Sequence, residues 1–369
     1  MLSNGIGYTM DMLAPLGIAL IVTTLAVRRL IPMMRRHHTT QQIYDLAPDS
    51  HQAKADTPTM GGICIIFGVL IACVIAMIYA GLSPGIIITL AVFVCFGAIG
   101  FLDDFTKVNR KRNLGLTARQ KLIFQIVISL AVALYYVFLS GAGMEILIPF
   151  IWKRVYIGYW IIPYIVFIMV AMTNAVNLTD GLDGLASGIT MTLSLFMPVI
   201  VILGTMLGYR TISGSSTVGI LMYYSSENIF FAALAGSCLG FLMYNRYPAK
   251  IFMGDTGSLA IGGGIATAAI FAKMELFLPI VGLIFVVEAL SVVLQVGSYK
   301  LRHGKRIFKM SPLHHHFELS GWKEPRVVSV FVTVTLILCA VAVALLLVQV
   351  AVIKNPGVSP VSLSPGYGS

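Results

Sequence analysis

One stretch of the chain decides the fold: residues 57–102 read TPTMGGICIIFGVLIACVIAMIYAGLSPGIIITLAVFVCFGAIGFL and contain no charged side chain. A helix needs about 20 apolar residues to cross the hydrocarbon core of a bilayer, so this stretch is too long for one crossing. The segment GLSPG at 81–85 combines glycine and proline in a pattern typical of a turn. The stretch therefore predicts two membrane-spanning helices joined by a short turn.

The composition of the whole chain agrees with a membrane protein. Hydrophobic residues make up 58% of the 369 residues, charged residues make up 11%, and the mean hydropathy is +0.90. Soluble domains carry about 25% charged residues, so a soluble globular fold is excluded. We predict an all-α integral membrane protein with one domain over 1–353 and a tail at 354–369 that is disordered or cloning-derived. About ten spans are expected, near 12–33, 58–80, 85–102, 122–143, 157–176, 184–207, 228–245, 257–272, 276–299 and 327–352.

The basic residues predict the orientation of these spans. Loops that follow odd-numbered spans share one side of the membrane, and 20 of the 25 Lys and Arg residues lie in or beside them. The positive-inside rule makes that side cytoplasmic and places both termini outside. We therefore expect a multi-pass protein of a cytoplasmic membrane. Nucleic acid is not an expected partner, because the basic residues are scattered over five short loops.

Acidic residues indicate where the chemistry lies. Carboxylates in or beside a membrane are costly, so each one needs a physical reason. The chain has only 15 acidic residues, and six of them fall in loops on the predicted cytoplasmic face: Asp103, Asp104, Asp180, Asp183, Asp255 and Glu318. This concentration predicts an active-site cleft on that face.

The first motif is FLDDF at 101–105, at the predicted cytoplasmic end of the third span. The adjacent carboxylates of Asp103 and Asp104 repel each other unless a cation or a proton is shared. A solvated helix end is the alternative, but Asp at a carboxyl-terminal end opposes the helix dipole. The pattern favours a functional pair near a divalent metal.

The second motif is NAVNLTDGLDG at 174–184, between the fifth and sixth spans. Its Asn, Asp and Gly residues allow a tight loop whose amides and carboxylates could bind a nucleobase or a ribose. An ordinary turn with helix-capping Asp is an equally good interpretation of this motif alone.

The third motif is IFMGDTGS at 251–258, just before the eighth predicted span. Gly254 and Gly257 let the backbone approach a ligand closely, and Asp255 lies where the helix exposes its first amides. A carboxylate there could hold a metal that bridges a diphosphate. Capping of the helix by Asp255 or Thr256 is the alternative, and it does not exclude a metal.

The fourth motif is PLHHHFE at 312–318, in the basic loop after the ninth span. Successive helical side chains point about 100° apart, so His314, His315 and His316 cannot all face one metal. The run favours imidazoles that bind phosphate or sugar oxygens. Glu288 in the ninth span is either functional or paired with a neighbouring helix, and the sequence leaves both open.

Taken in this order, the motifs resemble the polyprenyl-phosphate N-acetylhexosamine 1-phosphate transferases, and the resemblance extends from about 35 to 326. The segment TPTMGG at 57–62 and the His run point to the branch that uses UDP-MurNAc-pentapeptide. The resemblance implies transfer of phospho-MurNAc-pentapeptide to undecaprenyl phosphate, with lipid I and UMP as products and Mg²⁺ as the cofactor. It also implies a homodimer in contact with membrane lipid, inhibited by nucleoside antibiotics.

The same resemblance implies roles for individual residues. Asp255 would be a metal ligand, Asp103 and Asp104 would be catalytic near the metal, and Lys121 would meet the lipid phosphate. The uridine part would be held by Asn177, Asp180, Gly181, Asp183 and Phe252. The remaining polar cleft would be lined by Lys54, Thr59, Asn245, Gln295, His314, His315 and His316.

Two other functions remain as alternatives. A transporter would place its acidic residues near the middle of the membrane, whereas here they cluster at one face. A related enzyme acting on UDP-GlcNAc would share the Asp motifs and is opposed only by the 57–62 segment and the His run. On chemical grounds we expect direct attack by the lipid phosphate, because a phosphate with a second pKa near ~6 is already largely dianionic at neutral pH.

Overall fold

The computed structural model describes residues 2–36, 57–81, 83–110, 115–210 and 217–354. Within them the chain forms twelve α-helices and one two-stranded hairpin. In chain order the elements are α1 (Leu2–Arg36), α2 (Gly62–Ala80), α3 (Pro84–Arg110), α4 (Ala118–Phe138), β1 (Glu145–Ile148), β2 (Lys153–Tyr156), α5 (Ile161–Thr179), α6 (Leu185–Arg210), α7 (Thr217–Asn245), α8 (Gly254–Phe271), α9 (Leu278–Val281), α10 (Leu283–Leu301), α11 (Leu313–Glu318) and α12 (Glu324–Lys354).

Nine of the described helices are long and apolar enough to cross a membrane, and the protein is a multi-pass membrane protein. The two helices predicted from 57–102 are α2 and α3, and the turn at 81–85 separates them as expected. These nine helices correspond to nine of the ten predicted spans. The eighth predicted span, 257–272, forms the helix α8, whose 18 residues include Asp255 and five glycines.

Helix α8 lies at the centre of the bundle, and every residue from Thr256 to Phe271 is buried. Its three consecutive glycines each face a different neighbour: Gly262 the backbone of Thr173 on α5, Gly263 the ring of Phe96 on α3, and Gly264 the ring of Phe230 on α7. A β-carbon on any of them would collide with these groups. The glycines therefore serve close helix packing, as membrane helices commonly use small residues.

Two features were not predicted from the sequence. The fold is not purely α-helical, because β1 and β2 form an antiparallel hairpin in which Glu145 pairs with Tyr156 and Ile148 with Lys153. The strands have four residues each, far too short to cross a membrane, so hydropathy did not reveal them. The ninth predicted span is also interrupted, since α9 ends at Val281, α10 begins at Leu283, and Gly282 lies between them.

The extent of the single domain, 1–353, stays a prediction. The predicted tail lies outside the described residues except for Lys354, which ends α12.

The hairpin is attached to the helices at both of its sides. Lys273, after α8, holds the hairpin by donating a hydrogen bond to the carbonyl oxygen of Glu145 at 2.9 Å. Trp152, between the strands, donates from Nε1 to Oε1 of Gln349 on α12 at 2.9 Å. The hairpin is thus fixed to the end of the bundle opposite the Asp motifs.

Candidate active site

Three carboxylates meet at one end of the bundle. Asp103 and Asp104 lie on α3 and Asp255 lies in the first turn of α8, and one oxygen from each comes within 4.8 Å of the others. Gly100, one turn before Asp103, makes this approach possible, because a β-carbon there would collide with the backbone of Asp255. The helix continues to Arg110, so the Asp pair lies well before its end and not at its terminus as predicted.

Asp104 caps α8 from the neighbouring helix. Its Oδ2 accepts hydrogen bonds from the backbone N–H of Thr256 at 2.9 Å and from the Thr256 hydroxyl at 2.7 Å, and its Oδ1 accepts from the N–H of Asp255 at 3.2 Å. The first amides of a helix have no partner within it, so a carboxylate in this place stabilises the helix start. Asp104 therefore fixes the position of Asp255.

Two lysines lie between Asp103 and Asp255. Lys121 Nζ is 2.6 Å from Asp255 Oδ2 and 3.0 Å from Asp103 Oδ2. Lys107 Nζ is 2.6 Å from Asp103 Oδ2 and 3.1 Å from Asp255 Oδ2. Burial by itself favours the neutral acid, but a hydrogen bond with Asp103 and the charges of both lysines lower the pKa of Asp255. The like charges of the carboxylates are thus balanced by two ammonium groups.

The start of α4 directs Lys121 into this cluster. The backbone N–H of Leu116 donates to Oδ1 of the fully buried Asp103 at 2.7 Å. Thr117 and Gln120 then form a capping box, in which each side chain bonds the backbone of the other residue and starts the helix. Lys121 follows in the first turn of α4, so its position depends on Asp103 as well as on the cap.

The Asx-rich segment 174–184, called the Asx-rich loop below, packs beside the carboxylates. It was expected to be a loop throughout, but residues 174–179 form the last turns of α5, and only 180–184 connect α5 to α6. Asn177 donates from Nδ2 to Asp255 Oδ1 at 2.8 Å and to the Ser258 hydroxyl at 2.9 Å. Burial, followed by the negative charges of Asp255 and Asp104, raises the pKa of Asp180 to about 8. Asp183 accepts at Oδ2 from the backbone N–H of Ala249 at 2.9 Å. The loop is therefore part of the site.

The segment TPTMGG pairs with the loop that carries Asp255. The N–H of Gly61 donates to the carbonyl of Phe252 at 2.8 Å, the N–H of Gly62 to that of Met253 at 2.9 Å, and the N–H of Phe252 to that of Pro58 at 2.8 Å. Both glycines are needed because a β-carbon on either would collide with this loop or with α8. The motif thus shapes the loop of Asp255.

The other predicted residues fall around this loop. Thr59 is buried against Gly254, and Phe252 is half-buried. Asn245 uses its whole amide inside the protein: Oδ1 accepts from the N–H of Gly184 and from the Ser187 hydroxyl, and Nδ2 donates to the carbonyl of Ile251. Lys54 lies outside the described residues.

The His run forms the short helix α11, and its three imidazoles face different partners. His314 Nδ1 is 3.2 Å from Glu288 Oε2, His315 Nδ1 is 2.8 Å from Glu318 Oε2, and His316 Nδ1 accepts from the backbone N–H of Lys309 at 3.2 Å. The three Nδ1 atoms thus have three different partners, and the expectation that the run does not form one metal site stays a prediction. His314 also lies against Gly181, where a β-carbon would collide with its ring. This contact joins the His run to the Asx-rich loop.

Gln295 holds the loop that leads to the His run. Its Oε1 accepts from the N–H groups of Ile307 and Phe308 at 2.9 and 3.0 Å, and its Nε2 donates to the carbonyl of Phe308 at 2.9 Å.

Among the described residues, Lys107 belongs to the site but was not singled out from the sequence. The i, i+4 spacing from Asp103 to Lys107 places them on one helix face and was the available signal.

The three carboxylates suit a hard divalent cation. Mg²⁺ prefers oxygen ligands and binds through one or two carboxylates together with substrate phosphates. Asp103 and Asp255 present their Oδ2 atoms to the same two ammonium groups, so a cation could replace that charge. Asp104 has both oxygens engaged by the start of α8 and is less free to bind. The residues therefore fit a metal held mainly by Asp255 and Asp103.

An apolar groove opens between α4 and α5, the helices that carry Lys121 and Asn177 at their ends nearest the carboxylates. Its volume is about 490 Å³. It is lined by Ile126, Leu130, Ile162, Pro163, Val166, Phe167, Val170 and Ala171.

Comparison with known proteins identifies the family. Residues 86–273 match the model of glycosyl transferase family 4, and residues 54–66 match signature 1 of the phospho-N-acetylmuramoyl-pentapeptide-transferases. Proteins with that name from Caldanaerobacter subterraneus subsp. tengcongensis and Clostridioides difficile are 45% and 43% identical to the chain. The alignments cover 86% and 87% of this chain and 92% and 93% of the relatives. A relative of the same name from Thermoanaerobacter sp. is 47% identical over 83% of this chain and 90% of its own. The chain therefore belongs to glycosyl transferase family 4 and, within it, to the phospho-N-acetylmuramoyl-pentapeptide transferases.

Proposed function

We propose that the protein transfers phospho-MurNAc-pentapeptide from UDP-MurNAc-pentapeptide to undecaprenyl phosphate, forming lipid I and UMP. The choice of substrate rests on the names of the relatives reported above. The observation that carries the reaction type is the pair of lysines held between Asp103 and Asp255 at the end of an apolar bundle. Such a cluster can bind anionic phosphates at a membrane surface, where a soluble and a lipid substrate meet.

The reaction is a displacement at phosphorus. An oxygen of undecaprenyl phosphate forms a bond to the phosphorus attached to the sugar, and the bond from that phosphorus to the oxygen of UMP breaks. Catalysis of such a step is mainly alignment and neutralisation of charge. Lys107 and Lys121 supply positive charge, and Lys121 is the residue we assign to the lipid phosphate. Mg²⁺, when bound by Asp255 and Asp103, would neutralise the diphosphate.

Direct attack by the lipid phosphate suits the surroundings of Asp103. Its Oδ1 accepts from a backbone amide and its Oδ2 is held by two ammonium groups, which lowers the nucleophilicity of the carboxylate. Asp104 is engaged at both oxygens by α8. We therefore assign these residues to orientation, charge and helix capping rather than to a covalent intermediate.

The soluble substrate is assigned to the Asx-rich loop. Asp180 in this loop and Phe252 in the loop of Asp255 are only partly buried. We assign the Phe252 ring to stacking on the base and Asp180 to a polar contact with the nucleoside. Asn177, Gly181, Asp183, Asn245, Gln295 and Thr59 pack against or bond neighbouring protein groups, and we assign them to shaping the pocket. We assign His315 and His316 of α11 to sugar or phosphate oxygens.

The prenyl chain is assigned to the apolar groove between α4 and α5. Helical rise of ~1.5 Å per residue puts Ile126 and Leu130 about 7 to 14 Å from Lys121 along the axis of α4. A lipid phosphate at Lys121 could therefore extend its chain into the groove.

We further propose that this end of the bundle faces the bacterial cytoplasm, with both termini outside, and that the protein acts as a homodimer inhibited by nucleoside antibiotics. The basic residues of the loops support the orientation. The remaining points rest on membership of the family.

The test is incubation of purified protein with Mg²⁺, undecaprenyl phosphate and either UDP-MurNAc-pentapeptide or UDP-GlcNAc. UMP and a lipid-linked product should form only with UDP-MurNAc-pentapeptide. Reaction with UDP-GlcNAc alone would assign the protein to a different branch, and reaction with neither would refute the proposal.

A further inference from the structure

The described residues include a buried carboxylate–imidazole pair that the proposed reaction does not yet use. Glu288 on α10 is fully buried, and its Oε2 lies 3.2 Å from Nδ1 of the buried His314. Oε2 also accepts from the backbone N–H of Leu313 at 2.7 Å, and Oε1 accepts from that of His314 at 3.0 Å. One carboxylate thus holds both the backbone and the side chain of His314.

The pair sets the tautomer of the imidazole. An ionised carboxylate only accepts hydrogen bonds, so Nδ1 must carry the proton in this contact. In the neutral ring Nε2 is then a bare acceptor. Within the described part of the chain, this buried Nε2 has no hydrogen-bond partner, and it lies against Gly181 of the Asx-rich loop. A buried acceptor without a partner is costly, so its retention points to a ligand.

We propose that Glu288 is a positioning residue for the soluble substrate, holding His314 so that Nε2 accepts a hydrogen bond from an N–H or O–H group of the nucleotide sugar. The inference rests on the proposed function. Gly181 fits this role because only a residue without a β-carbon lets the ring reach the loop. Partners that orient a metal-ligating histidine commonly contribute about 10- to 100-fold to affinity or activity, and we expect an effect of similar size for a histidine that binds substrate.

Glu288→Gln separates this role from plain support of the backbone. A glutamine oxygen in the place of Oε1 can still accept from the N–H of His314, so part of the support of α11 is kept, while the N–H of Leu313 loses its acceptor. Its amide group would then face Nδ1 and donate to it, which moves the ring proton to Nε2. We expect the KM for UDP-MurNAc-pentapeptide to rise about 10- to 100-fold. The KM for undecaprenyl phosphate should stay at its wild-type value, and the thermal unfolding midpoint should fall only slightly, because one hydrogen bond to Leu313 is lost.

His314→Asn gives an independent test, because asparagine can reach Glu288 but not Gly181. It should raise the same KM, and the double variant should be no worse than the single ones. The matched control is Glu227→Gln: Glu227 is also fully buried, accepts from Thr89 at 3.0 Å and lies at the start of the buried part of α7. It should leave both KM values unchanged.

The outcomes separate the two proposals. A wild-type protein without activity refutes the proposed function, whatever the variants do. An active wild type with an unchanged KM for the nucleotide sugar in Glu288→Gln or in His314→Asn overturns the positioning role. A rise of both KM values together with a large fall in the thermal unfolding midpoint would also overturn it, because such a result indicates a carboxylate with a structural role. If Glu288→Gln is not obtained as folded protein, His314→Asn decides alone.

Discussion

Lys107→Met removes one of the two ammonium groups between the carboxylates while keeping a side chain of similar length. Lys107 Nζ lies 2.6 Å from Asp103, 3.1 Å from Asp255 and 4.0 Å from Asp104. After the substitution three clustered carboxylates share only Lys121. Breaking a fully buried ion pair costs about 3–5 kcal/mol, and the Lys107 side chain is 28% exposed, so we expect a loss of about 1–3 kcal/mol in stability.

The same change should have opposite effects on activity and on metal binding. Removing a group that stabilises charge in the transition state commonly lowers turnover about 100- to 1000-fold. Because the ammonium group competes with a cation for Asp103 and Asp255, its loss should raise the affinity for Mg²⁺. Stabilisation by a ligand grows with its concentration relative to Kd, so Mg²⁺ should raise the unfolding midpoint more in the variant than in the wild type.

The assay is thermal unfolding in detergent across a Mg²⁺ titration, with turnover measured on the same samples. Lys273→Met is the matched control, since Lys273 lies at the opposite end of the bundle and binds the hairpin. A variant that loses activity but gains no Mg²⁺ affinity would refute competition between Lys107 and the metal. Wild-type turnover would remove Lys107 from the site.

Three further predictions follow from the same cluster. Asp255→Asn should abolish turnover at ordinary Mg²⁺ while the protein stays monodisperse; near-normal activity would exclude Asp255 as the metal ligand. The pKa of Asp180 is raised to about 8 from its usual value of ~4, so between these pH values the metal-free folded state binds one proton more than the unfolded state. The free energy of unfolding should therefore fall as pH rises through that window, by at most ~1.4 kcal/mol per pH unit. Asp180→Asn should flatten that fall, and an unchanged slope in unfolding midpoints from pH 5 to 8 would contradict the raised pKa. Single cysteines replacing Asn109 and Lys309, in a background without the five native cysteines, should label only from the cytoplasmic side, and labelling from outside would contradict the orientation.

Much of the fold followed from the sequence because lipid imposes simple rules. Long uncharged stretches must be helices, so α2, α3 and the turn between them could be predicted from residues 57–102. Helix α8 is harder to recognise from hydropathy, because it is surrounded by protein and its glycines lower its hydropathy. The break at Gly282 and the hairpin at 145–156 depend on tertiary contacts, and no periodic pattern in the sequence predicts them.

The site was predictable as a set of residue types but not as a set of contacts. Asp103 and Asp255 were expected near each other, whereas the capping of α8 by Asp104 requires knowing that α3 and α8 touch at Gly100. In the sequence, Lys107 could not be distinguished from the other basic residues assigned to the cytoplasmic loops. The partner of Glu288 lies 26 residues away in the chain, and the pairing becomes visible only when α10 and α11 are placed side by side.

The central claim is that the cluster passes a phospho-sugar directly to a lipid phosphate, and UMP release tests it most directly. Protein stripped of lipid phosphate is mixed with UDP-MurNAc-pentapeptide and Mg²⁺, and undecaprenyl phosphate is then added in steps. The account predicts no UMP before the addition and afterwards one UMP for each lipid-linked product. UMP released stoichiometrically with the enzyme before any lipid phosphate is present, together with a phospho-sugar adduct on Asp103 or Asp104, would contradict it.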